Sequence, residues 1–215
     1  VTMLEKLCDF LRYSLYTDPL AKITVQDEIA ILQTYVDIEQ CRFQSKLNVS
    51  IAADQACANA LMPSLLLQPL VENALKHGIG QKSSIVIAVN FSCKGNRLHI
   101  CVSDTGSGFD LQAKAATGVG MKNCQDRLQL IYPGSSQFTV SNNDNGGARI
   151  SIASTPPIAK NTSAVAMKRS PMVLWLTDIN APRHPGRSVQ ISVSSRCKAK
   201  ARRGGLRGIP ASISA

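Results

Sequence analysis

Two neighbouring segments of the chain alternate between apolar and polar residues and are joined by a short turn. SIVIAVNFSC (84–93) and RLHICVSD (97–104) flank the turn at 94–96. Alternation with a period of two predicts β-strands with one buried face, and the short connection predicts an antiparallel hairpin. The apolar face of such a hairpin must be covered by a second layer. Helical patterns lie on both sides of it, so the sequence predicts an α+β fold with helices on one face of a sheet.

The remaining elements follow from helical spacing, capping residues and turns. Residues 3–16 carry apolar side chains at helical spacing, and a second helix runs from the predicted N-cap Thr24 to about Phe43. Pro69 lies inside a helix predicted within residues 63–78 and must either kink it or start it. Further along the chain we expect a strand at 46–53, a helix from about Met121 to Ile131, and strands at 137–141 and 148–153.

A polar seam follows one flank of the helix predicted within residues 63–78. Glu72 and Lys76 are four residues apart, as are Asn73 and His77, so the four side chains lie on adjacent stripes of one surface. Polar groups are costly to bury without partners. The seam is therefore either a solvated flank, which is the usual position of charges on an amphipathic helix, or the lining of a site whose partner is a ligand.

Two glycine-containing segments carry further candidate residues. Asp104 ends a predicted core strand and opens D-x-G-x-G with Gly106 and Gly108. A carboxylate there can accept a hydrogen bond from the exocyclic amine of adenine, and the glycines allow a flat ring to approach the backbone. Gly118 and Gly120 precede a helix, where backbone N–H groups can bind phosphate. Each segment taken alone is equally typical of an ordinary turn or loop.

The three elements occur in a fixed order between residues 69 and 123, and that ordered set resembles one superfamily. It is similar to the ATP-binding domain of sensor histidine kinases, type II topoisomerases, Hsp90-type chaperones and MutL proteins (GHKL), with its N, G1 and G2 boxes. LytS-type sensor histidine kinases are the most similar group. The similar segments, from residue 3 to about 153, are LRYSLY, DEIAILQTYVDIEQCRF, MPSLLLQPLVENALKHGI and GVGMKNCQDRLQLIY.

This resemblance implies a two-layer α/β sandwich (the Bergerat fold), with a mixed, mostly antiparallel sheet preceded by a helical segment. The expected division is a helical segment at 1–45, an ATP-binding domain at 46–154 and a tail at 155–215. ATP and Mg²⁺ would be the cofactors. By the same resemblance Asn73 would coordinate Mg²⁺ and Glu72 would orient the attacking group. Lys76 and His77 would approach the phosphates. Asp104 would bind adenine in a pocket shaped by Gly106 and Gly108. The phosphate side would be held by Gly118, Gly120 and Asn123, with Arg127 as a weaker candidate.

The resemblance also implies an activity and partners. Such kinases transfer the ATP γ-phosphate to a histidine on an upstream helix, for relay to a response regulator that usually carries a LytTR-type DNA-binding domain. The acceptor motif, similar to Pro-His-Phe-Leu-Phe-Asn, is absent here, and we do not expect this chain to phosphorylate itself. We expect a cytoplasmic domain of a longer protein, anchored in the bacterial inner membrane and dimeric through helices near residues 3–16. The lid between the G1 and G2 boxes, residues 110–117, is short.

The formal net charge of +10 lies entirely in the tail. Residues 155–215 hold 11 Lys and Arg against the single acid Asp178, whereas residues 1–154 are balanced. The tail is rich in Ser, Arg, Pro and Ala, a composition typical of disorder. Residues 196–207 could bind nucleic acid through its phosphates, but we favour a disordered or non-native extension. The seven cysteines are scattered without C-x-x-C or zinc spacing, which favours small apolar residues in a reducing compartment.

Three functional classes remain open from the sequence. The first is the catalytic ATP-binding part of a histidine kinase. A second is a regulatory module that binds ATP without transferring its phosphate. The third is nucleic-acid binding through the basic tail.

Overall fold

The computed structural model describes residues 3–79, 83–109, 118–144 and 146–155, and the backbone of 189–192. The described helices are α1 (Met3–Tyr16), α2 (Val25–Phe43), α3 (Gln68–Gly78) and α4 (Val119–Ile131). The described strands are β1 (Lys22–Thr24), β2 (Leu47–Ala53), β3 (Leu61–Pro63), β4 (Ile85–Lys94), β5 (Arg97–Asp104), β6 (Ser136–Asn142), β7 (Ala148–Ser154) and β8 (Val189–Ser192).

One mixed sheet forms the base of the domain, in the order β6-β7-β5-β4-β2-β8. Its strands pair antiparallel except β2 and β4, which are parallel and are connected by a crossover that includes α3. The apolar face of β5 is buried as predicted, with Leu98, Ile100 and Val102 each at most 3% exposed. The expected α+β architecture, a mostly antiparallel sheet with helices on one face, is confirmed.

Helix α2 lies between α1 and the sheet, which explains why it is buried almost all round. Thr24 caps it as predicted, because its hydroxyl accepts the backbone N–H of Asp27 at 3.1 Å. Helix α1 contacts α2 through Phe10, whose ring centroid is 5.5 Å from that of Tyr35. Tyr13 is also buried and Leu7 packs against the core, but Leu4, Leu11 and Leu15 are 69%, 48% and 78% exposed.

A second, two-stranded sheet pairs β1 with β3 and was not predicted from the sequence. Lys22 lies opposite Pro63 and Thr24 opposite Leu61, so the ribbon brings the entry to α2 beside the entry to α3. Helix α3 begins only at Gln68, after a turn at 64–67, and Pro69 lies in its first turn. Of the two alternatives for Pro69, the structure therefore shows a helix start and not a kink.

Beyond residue 155, four residues of the tail are described. The backbone of Val189–Ser192 pairs antiparallel with β2 and adds an edge strand to the sheet. The expectation of disorder for the rest of the tail lies outside the described residues. Among the described helices, none combines the length and the apolar character that crossing a bilayer requires.

Candidate functional site

The polar seam of α3 lies on the flank that the sheet does not cover. Leu70, Val71, Ala74 and Leu75 pack into the core on the opposite side. Glu72, Lys76 and His77 are exposed, and Asn73 is half-buried. The seam is thus available to a ligand, and its one partly desolvated member is the amide of Asn73.

Asp104 ends β5 directly opposite Ile87 of β4, on the same face of the sheet as the core residues. Its Oδ1 accepts two backbone N–H groups, from Gly106 at 2.7 Å and from Ala148 at 3.2 Å. Among the described residues nothing donates a hydrogen bond to Oδ2. The carboxylate is therefore held rigidly by one oxygen while the other can accept from a ligand, as the adenine role requires.

The D-x-G-x-G turn is packed against the C-terminal end of α3. A Cβ placed on Gly106 would lie 2.9 Å from Asp104 Oδ1 and 3.3 Å from the Cα of Gly78. Only glycine allows this approach without a shift of one of these groups. The contact places Asp104 and the seam of α3 at the same end of the domain.

Asn142, at the end of β6, clamps the far side of that turn. Its Oδ1 accepts the N–H of Phe109 at 2.7 Å, and its Nδ2 donates to the carbonyl of Phe109 at 2.9 Å. Gly108, with φ of +81°, occupies the left-handed region beside it. Both glycines of D-x-G-x-G therefore occupy positions that require glycine.

The turn between β6 and β7 supports Asp104 from below and was predicted only as a connection. Asn143 Nδ2 donates to the carbonyl oxygen of Asp104 at 3.0 Å. Gly147, with φ of +89°, lies so close that a Cβ there would be 2.0 Å from the same oxygen. The only sequence signal for this role was the pair Gly146-Gly147, which is typical of many turns.

The glycines at the start of α4 lie near the opposite end of α3. The prediction that both precede that helix is wrong for Gly120, because α4 already begins at Val119. Gly118 is the N-cap of α4 and is exposed, and a Cβ on Gly120 would contact Pro69 at 3.5 Å. Asn123 is exposed on the first turns of α4. The start of α4 thus lies beside the first turn of α3, leaving its N–H groups accessible to an anion.

Arg127, the weaker candidate, has another use. Its guanidinium donates to the backbone carbonyls of Pro19, Ser64 and Leu65. These contacts attach α4 to the turn before α3, so the side chain is engaged in the protein structure itself.

A pocket of about 300 Å³ borders Asp104, but it opens on the other face of the sheet. Its lining includes Ser103 and Arg149, which alternate with the core residues of β5 and β7. Nothing in the sequence predicted it, and it lies behind the carboxylate and not beside α3. It is therefore distinct from the site formed by α3, the D-x-G-x-G turn and α4.

Two family models match the chain. Residues 1–47 match the model described as histidine kinase, and residues 59–159 match that described as histidine kinase-, DNA gyrase B-, and HSP90-like ATPase. The second match contains every candidate residue of the site.

Similar curated proteins are sensor kinases. The chain is 36% identical over 139 residues to sensor histidine kinase YpdA of Escherichia coli (strain K12), covering 60% of this chain and 24% of that protein. It is 31% identical over 151 residues to sensor histidine kinase BtsS of the same strain, covering 70% of this chain and 27% of that protein. It is 26% identical over 162 residues to sensor protein LytS of Enterococcus faecalis, covering 70% of this chain and 28% of that protein. The chain thus spans about a quarter of the length of these relatives.

The fold has a counterpart among solved structures. The catalytic domain of histidine kinase ThkA superposes with a TM-score of 0.51 at 12% identity, covering 63% of this chain and 94% of that domain. At that identity the likeness shows the fold alone. With the family matches, it follows that the chain contains the ATP-binding domain of a histidine kinase, of the kind shared with DNA gyrase B and HSP90, and that the proteins similar to it include LytS-type sensor kinases.

Proposed function

We propose that this chain is the catalytic ATP-binding part of a two-component sensor histidine kinase, which transfers the γ-phosphate of Mg-ATP to a histidine on an upstream helix. The observation that carries the proposal is the packing of Gly106 against Gly78. It brings the end of α3 to the carboxylate of Asp104. One nucleotide can therefore contact both with its purine at Asp104 and its phosphates along the seam.

The residues of the seam fit a magnesium ion. Mg²⁺ prefers oxygen ligands and keeps several waters. Asn73 offers an amide oxygen on a half-buried side chain, to which the described residues make no hydrogen bond, and exposed Glu72 adjoins it. Asn73 would hold the ion. When bound, it would neutralise charge on the phosphate oxygens during transfer.

The residues of this chain contribute positioning more than covalent chemistry. Asp104 would fix the purine through its amine. Lys76 and His77 lie one turn beyond Glu72 and Asn73, where a cation or an N–H donor can offset phosphate charge. Gly118 and Gly120 would admit phosphate oxygens to the N–H groups that open α4, with Asn123 beside them. Glu72 would orient the incoming imidazole.

The whole protein extends this function. By its relatives it would pass the phosphate to a response regulator, which we propose to be of the LytTR type. The exposed leucines of α1, among them Leu11 and Leu15, are suited to a parallel copy of the same helix, and we propose that the full-length protein dimerises there. Membrane anchoring would come from a segment that precedes this chain.

The test combines binding and transfer. Mg-ATP is titrated into the chain and into Asp104→Asn, whose amide places a donor where the purine amine also donates. We expect the binding free energy of Mg-ATP to Asp104→Asn to be weaker by about 2 kcal/mol, which raises its Kd by about 30-fold. Asp54→Asn is the matched control, because that exposed acid follows β2 beside Phe91, far from Asp104 along the sheet.

Transfer is then assayed with γ-labelled ATP and a separate acceptor-helix peptide containing the upstream histidine. We expect acid-labile, base-stable phosphohistidine on the peptide, formed by wild type and by Asp54→Asn. Tight binding without transfer would instead support a regulatory ATP-binding module. Equal Mg-ATP affinity of wild type and Asp104→Asn would refute the assigned purine site.

A further inference from the structure

The turn at 64–67 must supply partners for the backbone groups that open α3. The N-cap residue Leu67 gives no side-chain cap, and Leu65 has φ of +54°, a left-handed conformation that a leucine rarely adopts. The first N–H groups of a helix have no partner within it. Something outside the helix must therefore hold this turn.

Glu28 of α2 provides the missing cap. Its Oε2 accepts the N–H of Leu65 at 2.8 Å, and its Oε1 accepts that of Leu67 at 3.0 Å. The side chain is 1% exposed, so water does not compete for these bonds. A negative charge at this end of α3 is also favoured by the dipole of the helix. One carboxylate thus fixes both the strained turn and the start of α3.

Helix α4 is attached to the same turn from the other side. Arg127 donates to the carbonyls of Ser64 and Leu65, and the thiol of Cys124 lies 3.4 Å from the carbonyl of Leu66. The turn is therefore the common anchor of α3, which carries the seam, and of α4, which carries the glycine start. A displacement of the turn would move the two halves of the phosphate site relative to each other.

We propose that Glu28 is a positioning residue of the ATP site, whose carboxylate sets the place of Asn73 and the α3 seam relative to the start of α4. The inference rests on the proposed function of that site. Glu28 acts through the backbone N–H groups of Leu65 and Leu67. Errors of about 1 Å in such supporting contacts are enough to weaken a site.

The charge state of Glu28 provides a second readout. Burial raises its pKa to about 7, against the lowering effect of the N–H groups of Leu67, Leu65 and Leu66 and of Arg127. The other titratable groups that face it are Tyr13 of α1 and Cys124 of α4. Protonation turns one oxygen into a donor, so the acid form can hold only one of the two N–H groups well. Mg-ATP should therefore prefer the ionised form and lower the pKa of Glu28.

The experiment uses the full chain with Glu28→Gln, which keeps the shape but presents a donor to one N–H. Mg-ATP and adenosine are titrated separately, at pH 8 and at a temperature where thermal melts show each variant folded. We expect Mg-ATP affinity to fall about tenfold, with adenosine affinity changed less than twofold because Asp104 is untouched. Thr24→Ala is the control. It removes the N-cap of the same helix, with similar burial, and should leave both affinities unchanged.

A Glu28→Gln variant that is less stable yet binds Mg-ATP like wild type would overturn the inference and leave the proposed function standing. If wild type itself failed to bind Mg-ATP, the result would refute both the role of Glu28 and the proposed function. Should Glu28→Gln not fold, the pKa of the Glu28 carboxyl is followed in wild type by carbon-13 NMR, with and without Mg-ATP. A decrease of about one unit corresponds to tenfold tighter binding by the ionised form, and an unchanged pKa would refute the coupling.

Discussion

Gly146 and Gly147 offer a matched pair of substitutions that isolates the support beneath Asp104. Their φ angles are +83° and +89°, so alanine is strained at both positions, by about 1–2 kcal/mol. A Cβ on Gly146 meets nothing within 4 Å, whereas one on Gly147 would be 2.0 Å from the carbonyl oxygen of Asp104. The difference between the two variants therefore reports the contact and not the backbone conformation.

The size of that difference follows from what must move. Relief of a 2.0 Å contact requires the turn and the end of β5 to separate by about 1 Å, since real Cβ contacts stay beyond about 3 Å. That separation breaks the bonds that Asp104 receives from Asn143 and Ala148. Each bond contributes about 1 kcal/mol. The free energy of unfolding of Gly147→Ala should therefore be about 2 kcal/mol lower than that of Gly146→Ala.

Urea unfolding of the two variants measures the stability difference, and adenosine titration measures the site. Gly147→Ala should also bind adenosine at least about tenfold more weakly, because Asp104 Oδ1 loses one of its two N–H donors, that of Ala148. Gly146→Ala should bind like wild type. Equal free energies of unfolding for the two variants, or unimpaired adenosine binding by Gly147→Ala, would refute the role given to this turn.

Two further predictions concern buried titratable groups. Burial raises the pKa of the Cys57 thiol to about 12 and that of the Cys124 thiol to about 11. At pH 8 iodoacetamide should therefore label the exposed Cys8, while Cys57 and Cys124 stay unmodified in the folded chain. Mass spectrometry of the peptides checks this, and prompt labelling of Cys124 would contradict it. Because burial also raises the pKa of Glu28 from 4.5 to about 7, its contribution to stability is full below pH 4.5 and is lost as the pH rises to 7, by about 3 kcal/mol. Urea unfolding should therefore show the free energy of unfolding of wild type falling by this amount relative to that of Glu28→Gln across that range. A difference that stays constant with pH would exclude it.

Local patterns predicted most of the elements because their causes are local. The alternation over 97–104 placed Asp104 on the core face, and Thr24 marked the start of α2 through its own hydrogen bond. The three parts of the candidate site were also visible, because the spacing of polar side chains on a helix and the positions of glycines can be read in the chain. The end of α3 at Gly78 was within the predicted range.

Other features required the folded chain. The leucines of α1 have the same spacing as those of a core helix, yet Leu4, Leu11 and Leu15 are exposed. The helix packs against its neighbours with the face that carries Leu7, Phe10 and Tyr13. The position of Arg127 in the sequence suggested a phosphate-binding residue, but in the structure its guanidinium donates to backbone carbonyls that are distant in sequence. The ribbon of β1 and β3 has only three residues in each strand, too few for a periodic signal.

The sequence by itself determined which residues alternate, which segments begin and end helices, and which side chains form the purine and phosphate candidates, since each depends on neighbours within a turn or two. Only the tertiary structure decided that Gly106 lies on Gly78, that Gly147 lies beneath Asp104 and that Glu28 caps α3. These contacts join groups that are tens of residues apart. Their energies depend on exclusion of water and on distances of a few ångströms, which no local pattern specifies.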